Sequence, residues 1–239
     1  MAKMTLDELV AQLQKAFGDG LISVVLYGSA AAGEHIPQRS DYNVLVLVRE
    51  LGLPELEREA AIARAWAEAG NPPPLTLTEG EWRSSSDVFP MEFADVLERH
   101  RVLYGTPPFD GVSVAPRNLR LQLEHESMGK LLQLRQGILA AGGDQKRMVE
   151  LLAASLSTFM VIFRALLRYH GESPPTDYER LVSAVAARTG LAGAPFVRVV
   201  RHLRGSEKIP EREVQQVLAG YLAGAHRLVD YLDRLEESK

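Results

Sequence analysis

Residues 24–48 read VVLYGSAAAGEHIPQRSDYNVLVLV, and this stretch decides the fold. Residues 21–27 form an apolar, β-branched run of strand length that Gly28 stops, and residues 44–48 form a second. Small residues fill the turn that opens at Ser29, and Asp41 stands at the threshold of the second strand. Glycine after a strand lets the backbone turn where other residues resist, and leaves no side chain to block a phosphate. Backbone amides of such a turn, with the Ser29 hydroxyl, are suited to phosphate oxygens. A carboxylate at Asp41 is suited to holding Mg²⁺ against those same phosphates.

Working outward, Thr5 and Glu8 make a capping box, and Leu6, Leu9, Val10, Leu13 and Phe17 recur at helical spacing up to Gly18. After the second strand, residues 54–69 read as an amphipathic helix. Three prolines, Pro72, Pro73 and Pro74, break it before a short strand at 75–78. This order predicts a small α/β unit with its sheet covered on one face. Pro90 suits a helix start, and Glu92 and Asp95, three apart, could share a face and supply an acid to the site. The plainer reading is that both acids favour the positive end of that helix.

From Pro116 the texture turns Leu-rich. Helices are predicted over 119–141, onward to His170 with Gly171 as a stop, and over 178–189, 195–203 and 211–235. Five helices joined by short Gly/Pro turns make a bundle. The expected fold class is α+β, with a small mixed sheet and its helices over residues 1–110 and an all-α helical bundle over 111–239.

Composition excludes several classes. With no cysteine among 239 residues there is no disulfide, thiolate metal site or cysteine nucleophile. No signal-peptide layout is visible, and no membrane span of roughly 18 apolar residues is expected, so a cytoplasmic protein is expected. The first 117 residues hold 10 Lys/Arg against 17 Asp/Glu, which argues against general nucleic-acid binding by that half. The milder basic excess of the remainder leaves an anionic partner open.

The quoted stretch resembles the polymerase-β-like nucleotidyltransferase superfamily, in particular its minimal, kanamycin-nucleotidyltransferase-like members. Their mark is Gly-Ser between two apolar strands with Asp-x-Asp entering the second. The resemblance is close over residues 21–80. It implies that Gly28 and Ser29 hold the phosphates of a nucleoside triphosphate, and that Asp41 ligates Mg²⁺. In the family two aspartates and a third acid on a later strand bind two metals that align a hydroxyl with the α-phosphate. Here the second aspartate is Asn43, a neutral ligand, and the third strand shows Leu75, Thr76 and Leu77. Glu79 and Glu81 come after it and are expected to point elsewhere.

The bundle resembles the helical HEPN class found beside such transferases, some of which carry arginine and histidine as a ribonuclease site. Arg164 and His170 would be that pair here, yet six residues apart they leave a regular helix about 240° out of phase. Arg198 and Arg201 share a helix face and are the candidate phosphate-binding arginines, or else a solvated face near a helix end. Phe159, Phe163, Tyr221 and Tyr231 have core-like spacing, and no histidine pair has zinc spacing. Three readings remain open. One is an active nucleotidyltransferase acting on an unknown hydroxyl, and another a nucleotide-binding protein with little chemistry. The third is a regulatory or interaction scaffold, acting as a dimer or beside a toxin-like partner.

Overall fold

The computed structural model describes residues 3–28, 30–31 and 42–235. The chain divides into two compact units, Met1–Val114 and Ala115–Lys239.

In the first unit, α1 (Leu6–Phe17) opens with the expected capping box. The Thr5 hydroxyl accepts from Glu8 N, and the Glu8 carboxylate accepts from Thr5 N at 2.8 Å. There follow β1 (Leu21–Tyr27), β2 (Asn43–Val48), α2 (Leu53–Glu68), β3 (Leu75–Thr78), α3 (Glu79–Ser84), α4 (Pro90–Glu98) and β4 (His100–Gly105). The sheet runs β3-β2-β1-β4 and is mixed. β1 is antiparallel to both β2 and β4, and β2 is parallel to β3 through the α2 crossover.

Both faces of this sheet are covered, where the sequence reading expected one. Val24, Leu26, Val44, Val46 and Val48 pack on α1 and α2, with Trp66 wholly buried among them. Val25, Leu45 and Leu47 pack on Trp82 of α3 and on Phe93 and Val96 of α4. The cause is visible in the strands themselves. LISVVLY and NVLVLV are apolar without alternation, the pattern of strands buried on both sides. Two elements escaped prediction. Helix α3 carries its own capping box, Thr78 with Glu81, a signal present in the sequence. Strand β4 is an edge strand opening on His100 and Arg101, which hides its apolar character.

The second unit is the five-helix array α5 (Pro116–Ala141), α6 (Gln145–Tyr169), α7 (Tyr178–Thr189), α8 (Ala194–Arg204) and α9 (Glu211–Leu232). Its centre is aromatic. Phe159, Phe163, Phe196 and Tyr221 stack edge to face or tilted, with the Tyr221 ring 4.2 Å from that of Phe196. The Tyr221 hydroxyl accepts from Ser155 Oγ at 3.0 Å, so its one polar atom is satisfied. Gly224 lets this packing close: a Cβ there would lie 2.5 Å from Phe196 Cε2. Helix α6 is long and apolar enough to cross a membrane, against the expectation that no segment would be. Half of that stretch is buried inside the protein, as suits the central helix of a bundle.

Candidate functional site

Strand pairing places the site. Tyr27 lies opposite Asn43 on β2 and opposite His100 on β4, so the β1 end is flanked on both sides. Asn43 shares its sheet face with Leu45, and hence with Val25 and the α3/α4 layer. Gly28 comes next with φ +78°, in the left-handed region where glycine alone is unstrained. Its N–H donates to the Arg99 carbonyl at 3.0 Å, and its carbonyl accepts from Ala31 N at 3.1 Å. The Gly28 amide is therefore already used. What Gly28 leaves at this point is room.

That room is bounded by two polar side chains. A Cβ on Gly28 would stand 3.3 Å from Asn43 Nδ2 and 3.6 Å from Asp95 Oδ2, so both groups surround one point above the turn. Asp95 comes from α4, one helical turn after Glu92. Together these carboxylates act on Tyr27, whose phenol is pushed up by burial first, then by Asp95 and by Glu92. The shared helix face read from sequence is thus turned toward the strand end. Sequence reasoning set this pair below the helix-terminus explanation, and the two are compatible.

Strand β3, where the sequence reading looked for a third acid, carries none. Leu75 and Leu77 pair with Leu45 and Leu47 and share the Asn43 face, while Thr76 pairs with Val46 on the opposite face. There its hydroxyl donates to Glu59 of α2 at 2.7 Å. Burial raises the pKa of Glu59, against the Thr76 hydrogen bond that lowers it. Glu79 and Glu81 stay local: Glu81 caps α3, and Glu79 pairs with Arg83. Ser29 and Asp41 lie outside the described residues. Among the described residues no cluster of three His, Asp or Glu could hold a metal. Asn43 and Asp95 nonetheless make an oxygen-bearing pair of the kind Mg²⁺ accepts, once the amide turns its carbonyl inward.

Beside the Gly28 turn the same sheet face holds a cavity of about 280 Å³. Leu75 and Leu77 form one wall, and Trp82, Phe93 and Val96 another. Its polar groups belong to Tyr27, Ser85 and Glu92.

In the second unit the predicted arginines hold other partners. Arg198 pairs with Glu207 and, at 2.6 Å, with Glu213, and Arg201 pairs with Glu179 at 2.8 Å. Arg164 and His170 do not converge on a common partner. The Arg164 guanidinium sits 5.3 Å over the Tyr178 ring, and His170 Nε2 is 2.9 Å from the Tyr231 hydroxyl. Tyr231 is accordingly a hydrogen-bonding residue at the helix ends, whereas Phe159, Phe163 and Tyr221 are core.

No protein-family model matches this chain, and no curated protein matches it. Among solved structures it is similar to spectinomycin adenyltransferase AAD(9) from Enterococcus faecialis, determined with ATP and spectinomycin. The TM-score is 0.58 at 14% identity, over 94% of this chain and 99% of that one. The likeness is one of fold: this chain is an α+β protein with the fold of a nucleotidyltransferase.

Proposed function

We propose that this chain binds a nucleoside triphosphate with Mg²⁺ at the Gly28 turn and transfers its nucleotidyl group to the hydroxyl of a small acceptor. The observation that carries this reading is the convergence of Asn43 and Asp95 on the point above Gly28, at the end of β1 in a nucleotidyltransferase fold. In this reading Gly28 provides the space, Ser29 and the residues after it hold the phosphates, and Asp41, Asn43 and Asp95 hold the metal. Mg²⁺, when bound, neutralises phosphate charge and polarises the α-phosphate. Asp95 returns from a helix the acid that Leu75 and Leu77 do not supply from the strand. Arg198 or Arg201 would have to leave its own carboxylates to join a phosphate, which sets both behind the turn residues as ligands.

Asn43, with apolar residues at the third-acid positions, favours a second reading, in which the nucleotide is held without transfer and the fold serves regulation or interaction. One experiment separates the two. Thermal shifts are measured with ATP, GTP, CTP and UTP, with and without Mg²⁺, on the native protein and on Asp95→Asn. A ligand at about 100 times its dissociation constant adds roughly 2.7 kcal/mol of stability. Absence of any shift defeats both nucleotide readings. A Mg²⁺-dependent shift that Asp95→Asn reduces supports the site, and pyrophosphate release in the presence of candidate acceptors then decides between transfer and holding.

A further inference from the structure

We propose that the cavity beside the Gly28 turn is a preformed seat for a flat, apolar ring, and that it takes the ring of the acceptor. The ring seat stands on the cavity itself. Its assignment to the acceptor rests on the nucleotidyl-transfer reading above.

The walls argue for a flat apolar group. Trp82 and Phe93 are stacked at 4.2 Å with 17° between their planes, so each ring covers a face of the other and holds it in place at the cavity wall. Trp82 is held in place, because its indole N–H donates to the Pro108 carbonyl at 2.7 Å and its side chain is buried. Leu75 and Leu77 face the cavity from the sheet. A volume of about 280 Å³ suits one ring or two fused rings, at the small end of ligand sites. Walls already fixed in this shape lose little freedom when a ring enters.

The polar groups argue for orientation and charge. Among the described residues that line the cavity there is no Lys, Arg or His, and most are apolar. Tyr27 and Glu92 line the cavity, and Tyr27 immediately precedes Gly28. Burial first, then Asp95 and Glu92, pushes the Tyr27 phenol up, so it stays protonated as a donor. A ring bearing a hydroxyl or an ammonium at one edge would turn that edge toward Tyr27 and Glu92, beside the Gly28 turn. A nucleobase fits less well, because its polar edge runs around most of the ring. Leu75, Leu77, Phe93 and Val96 would leave its nitrogens without partners.

The test uses the intact protein and 2-amino-1-phenylethanol, which joins one phenyl ring to a hydroxyl and an ammonium. Calorimetric titration of the native protein is expected to show saturable binding. A ligand of roughly ten heavy atoms reaches millimolar dissociation constants. Leu75 is 41% exposed at the cavity edge, so Leu75→Trp fills the space from the rim, and a native-like urea melt shows that the variant folds. Binding is expected to weaken at least about tenfold in Leu75→Trp. Glu92→Gln should weaken the amino alcohol while sparing its uncharged analogue 1-phenylethanol. No saturable binding up to about 10 mM, or equal binding in folded Leu75→Trp, overturns the ring seat. Adenosine competing for the cavity more tightly than either probe makes it a nucleobase seat and overturns the acceptor assignment. If the ring probe binds but no triphosphate shifts the melt, the seat stands and the acceptor assignment falls with the transfer reading.

Discussion

Replacing Gly28 with alanine separates backbone strain from damage to the site, provided that a second glycine reports the strain alone. Gly28 has φ +78°, and Gly70, after α2, has φ +96°. An added Cβ meets Asn43 and Asp95 at Gly28 but nothing within 4 Å at Gly70. A non-glycine residue held in the left-handed region costs roughly 1–2 kcal/mol. The alanine also restricts the unfolded chain, which offsets about 0.4–1 kcal/mol of that cost. Each variant should therefore lose about 1 kcal/mol without ligand.

The two should part when nucleotide is added. ATP with Mg²⁺ at about 100 times the native dissociation constant adds roughly 2.7 kcal/mol to native protein and to Gly70→Ala. In Gly28→Ala the methyl group occupies the point that Asn43 and Asp95 surround. A tenfold rise in dissociation constant would cut the gain at the same ATP concentration to about 1.4 kcal/mol. Urea melts followed by tryptophan fluorescence measure this in the right place, because Trp66 and Trp82 both belong to the first unit. A full ATP gain in Gly28→Ala, or the same deficit in Gly70→Ala, would refute the placement of the phosphate site at Gly28.

Three further outcomes rest on the packing and the titrating groups. Glu59 is 5% exposed and its pKa is raised by burial, so its contribution is held below the unfolded value near 4.3 and lost as pH rises through the folded one. Glu59→Gln should gain stability relative to native protein between about pH 5 and 8, and a pH-independent difference in Tm would contradict this. Gly224→Ala should destabilise, because overpacking against buried Phe196 costs about 1–3 kcal/mol and exceeds the roughly 1 kcal/mol that alanine gains in a helix. Gly129→Ala in α5 meets nothing and should be stabilising by about that 1 kcal/mol, so equal urea midpoints for the two variants would refute the contact. The pKa of His170 is lowered by burial, then by Arg188, against Glu172, so its contribution is present above the unfolded value near 6.5 and lost as pH falls. His170→Gln should flatten the stability profile between about pH 7 and 5, which melts across that range would show.

Much of this architecture was legible because single residues carry local instructions. The Thr5–Glu8 box, the stop at Gly28 and the glycines after α5 and α6 each fix an element boundary from within a few positions. The layer on the second sheet face was less legible. NVLVLV says that both faces are buried but not by what, since the partners Trp82, Phe93 and Val96 lie some 40 residues away in short helices. The carboxylate partners of the two arginines were not legible either. Arg198 and Arg201 do share a helix face, yet Glu179, Glu207 and Glu213 reach that face from other segments, and no spacing rule within α8 reveals them.

Asp95 shows the same limit at the site itself. An acid in a helix opened by Pro90 has an ordinary explanation in the helix dipole, and nothing within α4 contradicts it. Its place beside Gly28 depends on the next strand. β4 returns along β1 and sets His100 opposite Tyr27, and the Arg99 carbonyl then takes the Gly28 N–H at 3.0 Å. These two links pin the end of α4 to the turn, and Asp95, one helical turn earlier, is carried to the space over Gly28. The edge strand that escaped prediction is therefore what sets Asp95, a candidate ranked second in the sequence, beside the Gly28 turn. A carboxylate delivered by a helix thus stands at the end of β1 in a sheet whose own strands offer Asn43, Leu75 and Leu77 on that face.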